Sequence, residues 1–391
     1  DRLGEVVVVA EAKKNTENAL ITRQRTSLVM QTGVSAQQIT KTQDKDASEV
    51  IRRVPGISII EEKFVMVRGL SQRYNNVWIN NSAVPSSEAD ARAFSFDIIP
   101  SSQLDNMLVV KSPAPEYPAD FSGGFILVNT KDVPNSNLFN ISVGGSMNDQ
   151  THFKNFQYNK GSGTDFLGFD NGLRSLNGGI NATLRPMNNG YDLLNNGLNN
   201  DWSIKNRKPI ADLSLSMNIA HRWVSESGRT LAMLGVVNYS NTYKTYLNMD
   251  NNLYGAYDIT HDRSNYLRKG VDDQYNHNVR VGAMLNLTYV PASGNNRYEF
   301  KNIFNQLGKD RYTYRKGTDA QSDYEESAEY YYQSRTTYSG QFTGKHTWSD
   351  TDKLDWSAGY SYANRNMPDR RRYNTVLNTD CLLYTSPSPR D

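Results

Sequence analysis

Between Asn278 and Val290 the chain repeats with a period of two. Val279, Val281, Ala283, Leu285, Leu287 and Tyr289 fall on one face, and Asn278, Arg280, Asn286 and Thr288 fall on the other. In an extended backbone successive side chains point to opposite sides, so this segment reads as a strand with one apolar and one polar face. The pattern recurs at Phe139–Gly145, Asp212–Trp223, Thr230–Tyr243, Tyr298–Leu307, Tyr330–Trp348 and Leu354–Ala363. In the last of these, Leu354, Trp356, Ala358, Tyr360 and Tyr362 oppose Asp355, Ser357 and Ser361. Such a series calls for one large antiparallel sheet.

The connections restrict that sheet further. Long links (residues 146–211, 244–277 and 308–329) alternate with short ones (225–228, 291–296 and 349–352). Short turns on one side and long loops on the other are the rule in outer-membrane β-barrels, whereas a soluble sandwich or propeller has no reason to alternate them. No apolar run approaches the ~20 residues that a membrane-spanning helix needs, which excludes a helical transporter but not a barrel. The balance of 43 basic against 41 acidic residues leaves no electrostatic footprint for nucleic acid. The 24 tyrosines and 27 glycines fit a β-rich chain.

Residues 1–133 read differently. Glu5, Val6, Val7, Val8 and Val9 form a β-branched run near the start. Ser48–Val54 reads as a short helix with Val50, Ile51 and Val54 on one face, Asp46 or Ser48 as its cap, and Pro55-Gly56 as its stop. Ile57–Ile60 and Phe64–Val67 are strand-like, and Asn80-Asn81 suits a tight turn because asparagine tolerates the left-handed region. Ser86–Phe96 is a polar, charge-mixed loop, and Gly123-Gly124 precedes a last strand that ends at Thr130.

The ordered set Val65-Met66-Val67-Arg68-Gly69-Leu70, Tyr74-Asn75-Asn76-Val77-Trp78-Ile79-Asn80, Asp97-Ile98-Ile99-Pro100 and Asp120–Lys131 resembles the plug domain of a TonB-dependent outer-membrane receptor. The segment Asp165–Leu176 resembles one seen in the Bacteroidota-type branch. The fold implied is an α+β plug domain followed by an incomplete transmembrane antiparallel β-barrel, about seven of the roughly 22 strands that plugged transporters use. The expected division is a Ton-box-like segment and linker at 1–18, the plug at 19–133, and the N-terminal part of the barrel at 134–380. Residues 381–391 match what a transposon-end sequencing adapter encodes, so they are expected to be read-through and not native sequence.

The resemblance implies active import of a scarce or bulky ligand (siderophore, haem, cobalamin, glycan or peptide) across the bacterial outer membrane. The plug gates the barrel, and no cofactor takes part. It implies TonB, with its inner-membrane energising complex, as a partner pairing with Glu5, Val6, Val7, Val8 and Val9. Outer-membrane lipid surrounds the barrel, and a surface lipoprotein is a possible accessory. Arg68 and Gly69 are expected at a plug–barrel latch, and Arg73, Tyr74, Glu88, Asp90 and Arg92 are the candidate ligand contacts. The competing class is a secreted or surface all-β ligand-binding protein without transport. Catalysis is not expected: His152, His221, His261, His277 and His346 are scattered, with no HExxH pair.

Overall fold

In a computed structural model the described residues are 16–86, 88, 92–134, 136–175, 199, 201–319, 323–349 and 351–377, with the backbone of 383–387. The first unit contains α1 (Glu17–Thr26), β1 (Gln31–Ser35), α2 (Ala36–Thr42), α3 (Ala47–Ile51), β2 (Ile57–Ile60), β3 (Phe64–Val67), β4 (Asn76–Ile79), β5 (Ser82–Ala83), β6 (Leu104–Val110) and β7 (Phe125–Thr130). Five of its strands form a mixed sheet in the order β1-β6-β7-β4-β5, and β2 pairs with β3.

Local chemistry accounts for these elements. Asp46 caps α3 by accepting from the backbone N–H groups of Ser48 and Glu49, and Val50, Ile51 and Val54 are fully buried. Helix α2 carries a capping box between Ser35 and Gln38. Helix α1 begins at the end of the stretch read as linker (1–18) and runs into the plug, where no helix was expected. Its first turn is secured by the Thr16 hydroxyl, which accepts from Ala19 N–H, and Arg23 and Arg25 sit in its last turn. The β4–β5 turn places Asn80 at φ 50° and Asn81 at φ 67°. That is the left-handed pair a two-residue hairpin requires. The Asn80 side chain also bonds to Thr130 at the end of β7.

The second unit is an eight-stranded antiparallel sheet. Its strands are β8 (Leu138–Ser146), then, after a short pair β9 (Phe156–Tyr158) and β10 (Lys205–Arg207), β11 (Asp212–Val224), β12 (Thr230–Asp258), β13 (Arg263–Val290), β14 (Asn296–Asp319), β15 (Tyr324–Thr347), β16 (Lys353–Leu377) and β17 (Leu383–Pro387). Neighbours in sequence are neighbours in the sheet from β11 to β17, β8 pairs with β11, and the sheet does not close on itself. No helix among the described residues is long and apolar enough to cross a membrane, which says nothing of strands.

One expectation is corrected. Residues 244–277 and 308–329 are not loops for most of their length. The ladder between β12 and β13 continues to Asp258↔Arg263, and that between β14 and β15 to Thr318↔Tyr324. Alternation of apolar and polar side chains fails there because both faces of the projecting strands carry polar residues. The backbone ladder and tyrosine pairs such as Tyr254–Tyr266, 5.0 Å between ring centres, hold them extended.

The two faces of the sheet differ as the alternation requires. Val237, Leu285, Phe300, Phe342 and Tyr360 are exposed on one face. The other face packs on the first unit, whose buried core runs without a break into Ala220, Leu234, Val236, Met284, Ile303 and Leu307 of the sheet, here called the wall.

Candidate functional site

The seam between the two units is built chiefly from carboxylates of the first and cations of the second. Asp97 lies in a 3₁₀ turn (Phe96–Ile98) just before Pro100. Its Oδ2 receives Arg335 Nη2 from β15 and, at 3.0 Å, Lys309 Nζ from β14. Glu88 receives Arg335 Nη1 at 3.2 Å, Arg365 Nη1 of β16 at 2.8 Å and Lys63 Nζ at 3.3 Å. Deeper along the wall, Arg280 Nη2 reaches the α3 cap Asp46 at 3.0 Å, and Lys301 pairs with Asp132. Uncharged bonds add to these: Ser102 Oγ donates to Asn238, Asn286 donates to the Lys131 carbonyl, and Asn305 donates to Gln103.

The electrostatics follow from burial. Arg335 is 1% exposed and Asp97 5% exposed, so neither charge is tolerable alone. Burial by itself would raise the Asp97 carboxyl. Arg335 and Lys309 outweigh it and hold the group well below the usual carboxylate range. Burial likewise opposes ionisation of Glu88, and Lys63, Arg335 and Arg365 overcome it.

Close approach is a second means of seating. A Cβ on Gly282 of β13 would lie 2.8 Å from Gln103 Nε2 and 3.0 Å from Pro100 Cγ. Elsewhere the seam opens into a polar cavity of about 670 Å³, with Lys45, Glu49 and Arg52 on one side and Ser142, Ser216 and Lys244 on the other.

Beyond the seam, on the same inner face, Glu329 sits between Arg311 Nη2 at 2.9 Å and Arg370 Nε at 3.0 Å, with Arg372 opposite it in the ladder.

The residues named from sequence fall in several places. Glu88, expected in a cargo-binding loop, is buried in the seam. Arg92, on the same loop, pairs with Asp120 at the surface, and Asp90 lies outside the described residues. Arg73 stacks on exposed Tyr74, 5.1 Å from the ring centre. Arg68 is exposed at φ 53°, with Gly69 at φ 77°, and its Nη2 lies 3.5 Å from Met30 Sδ. Among the described residues Arg68 forms no ion pair. Residues 5–9 lie outside the described residues. Sequence reading missed Asp97, Arg335, Lys309 and Arg365 because their partners lie more than 200 positions apart. The one available signal was a cation on the apparently polar face of each strand.

Residues 23–125 match the family model for the TonB-dependent receptor plug domain. The chain carries a TonB-dependent receptor plug domain. A stretch of 118 residues, 29% of this chain, is 28% identical to 19% of the vitamin B12 transporter BtuB of Photobacterium profundum. Among solved structures, the siderophore receptor PirA of Acinetobacter baumannii aligns with 94% of this chain and 59% of its own, at 9% identity and a TM-score of 0.35. A point mutant of the ferric enterobactin receptor PfeA of Pseudomonas aeruginosa aligns with 94% and 59%, at 10% identity and a TM-score of 0.33. The chain thus spans about three fifths of these receptors. TonB-dependent receptors are outer-membrane β-barrel proteins that take up ligands and are not enzymes. The first unit described above, which contains the matched residues, is the plug domain.

Proposed function

We propose that this chain is part of an energy-coupled importer of the bacterial outer membrane, in which the plug blocks the barrel and is displaced to admit cargo. The observation that supports this most is the seam. The plug is held to the wall by ion pairs and polar bonds beside a shared apolar core, and the polar part is an interface that can be released and remade. TonB is the partner that would draw on Glu5, Val6, Val7, Val8 and Val9, pairing with them as an added strand. Cargo and TonB must favour the same state of the plug, since otherwise binding on one side cannot influence the other.

The inner face beyond the seam suggests the class of cargo. Three arginines surround the single carboxylate of Glu329. That excess of positive charge on the inner face favours a cargo bearing negative charge, such as a ferric siderophore, over a neutral glycan. Arg73, Tyr74 and Arg92 remain the proposed plug-side contacts. A latch at Arg68 would have to be made to wall outside the eight strands described.

Deleting Glu5–Ala10 from the full-length receptor should leave cargo binding intact and abolish uptake. Retained uptake would move the TonB contact elsewhere. Arg370→Ala should weaken binding of an anionic cargo about tenfold while sparing a neutral one, in line with loss of one charge-assisted bond. Equal loss for both would remove the argument for anionic cargo.

A further inference from the structure

The first long connection of the wall leaves one apolar surface unexplained. Its residues 162–175 fold back against the face of the sheet opposite the plug. The Gly168 carbonyl accepts from Gln306 Nε2 at 2.6 Å, and Gly168, at φ 78°, lies so close to Gly308 that a Cβ on Gly308 would be 2.6 Å from the Gly168 Cα. Gln306 and Gly308 share the face of β14 that carries Phe300, the exposed, outward side of the wall.

The polar groups of this loop are spent inwards. Arg174, 6% exposed, donates to Asp165 at 2.6 and 2.7 Å and to Asp170 at 2.8 Å, and its guanidinium lies 3.8 Å from the ring centre of Tyr332. Ser162 adds its N–H and hydroxyl to the Asp165 carboxylate. What the clamp leaves outside is apolar: Phe166 is 57% exposed, Leu167 37%, Phe169 38% and Leu173 48%.

We infer that Phe166, Leu167, Phe169 and Leu173 form a wedge that enters the outer leaflet of the membrane beside the barrel. The inference rests on the barrel reading above. A membrane strand needs about 9–11 residues, so the lipid-crossing part of β14, counted from the short turn at 291–295, ends near Gln306. The wedge is fastened at that level and continues the outward apolar face of Phe300 and Phe342. Aromatic side chains collect at this boundary because one end can be dry and the other wet. The occupant is therefore lipid: the patch adjoins a surface that lipid already covers and is pinned to the wall by the Gln306–Gly168 bond and the Arg174 guanidinium over Tyr332.

The test uses the full-length receptor in phospholipid bilayers, with Cys381→Ser where that residue is present and a nitroxide placed at Phe166→Cys or Phe169→Cys. Collision rates are measured with oxygen, which concentrates in lipid, and with a water-soluble nickel chelate. A Leu285→Cys label on the outward face of β13 serves as reference. The expected result is an oxygen-to-nickel ratio several-fold above that of a solvated loop and close to the Leu285 reference. High nickel access at the wedge, or low access to both reagents as under a protein partner, overturns the inference while lipid exposure at Leu285 leaves the barrel reading standing. Nickel access at Leu285 itself would overturn the barrel reading. Arg174→Ala, checked for folding by heat-modifiable migration, should raise nickel access at the Phe166 label several-fold. No change would show that the clamp does not hold the wedge.

Discussion

Asp97 joins two cations of the wall, Arg335 and Lys309, to the plug. Replacing it with alanine leaves Arg335 buried with only Glu88 to share among three cations, and breaking a buried pair of this kind costs about 3–5 kcal/mol. The Asp97→Ala plug should therefore become accessible to protease in the native barrel at much lower urea than wild type, and unchanged accessibility would remove Asp97 from the latch. The pH dependence has a definite sign. The folded carboxyl titrates below its unfolded value near 4, so its contribution is complete above that pH and fades as the pH falls further. Plug accessibility should be flat from pH 7 to 5 and rise only in stronger acid. None of this was legible in the chain: an aspartate before Ile-Ile-Pro looks like a turn residue, and only the fold brings β14 and β15 to it. The cap at Asp46, by contrast, was legible, because helix capping is settled within a few residues.

At the scale of elements, the β4–β5 hairpin and the projecting strands make opposite points. The hairpin was readable because Asn80-Asn81 carries its conformational preference in its own side chains. Asn81→Gly should keep or slightly raise the thermal midpoint, whereas Asn81→Val, forced to positive φ, should cost about 1–2 kcal/mol. The projecting parts of β12–β15 were read as loops because the signal used was amphipathicity, which disappears once both faces of a strand are polar. Helix α1 escaped notice for a related reason, since only Leu20 is buried within it and capping at Thr16 secures its first turn. Seating depends on a smaller detail. Gly282→Val places methyl groups against Pro100 and Gln103 and should leave the barrel assembled but its plug loosely docked, seen as raised passive permeability to small antibiotics.

For the whole molecule, the expected signature is a receptor in the outer-membrane fraction that migrates faster unheated than boiled, as intact barrels do. A soluble product would favour the binding-protein alternative. The alternation of apolar and polar residues and the plug motifs made the architecture readable from the sequence alone. The seam was not, because a contact between two units is written in neither of them.

The order of strands in the plug has a mechanical consequence. Strand β1 is at the edge of its sheet, held along five residues by β6 alone, and it follows directly on α1 and the N-terminal segment. A load applied to that segment meets α1 and β1 before any strand with two neighbours. The edge strand should peel away while β6, β7 and β4 stay joined, so the plug would yield in steps and keep an intact remainder on which β1 can re-form when tension ceases.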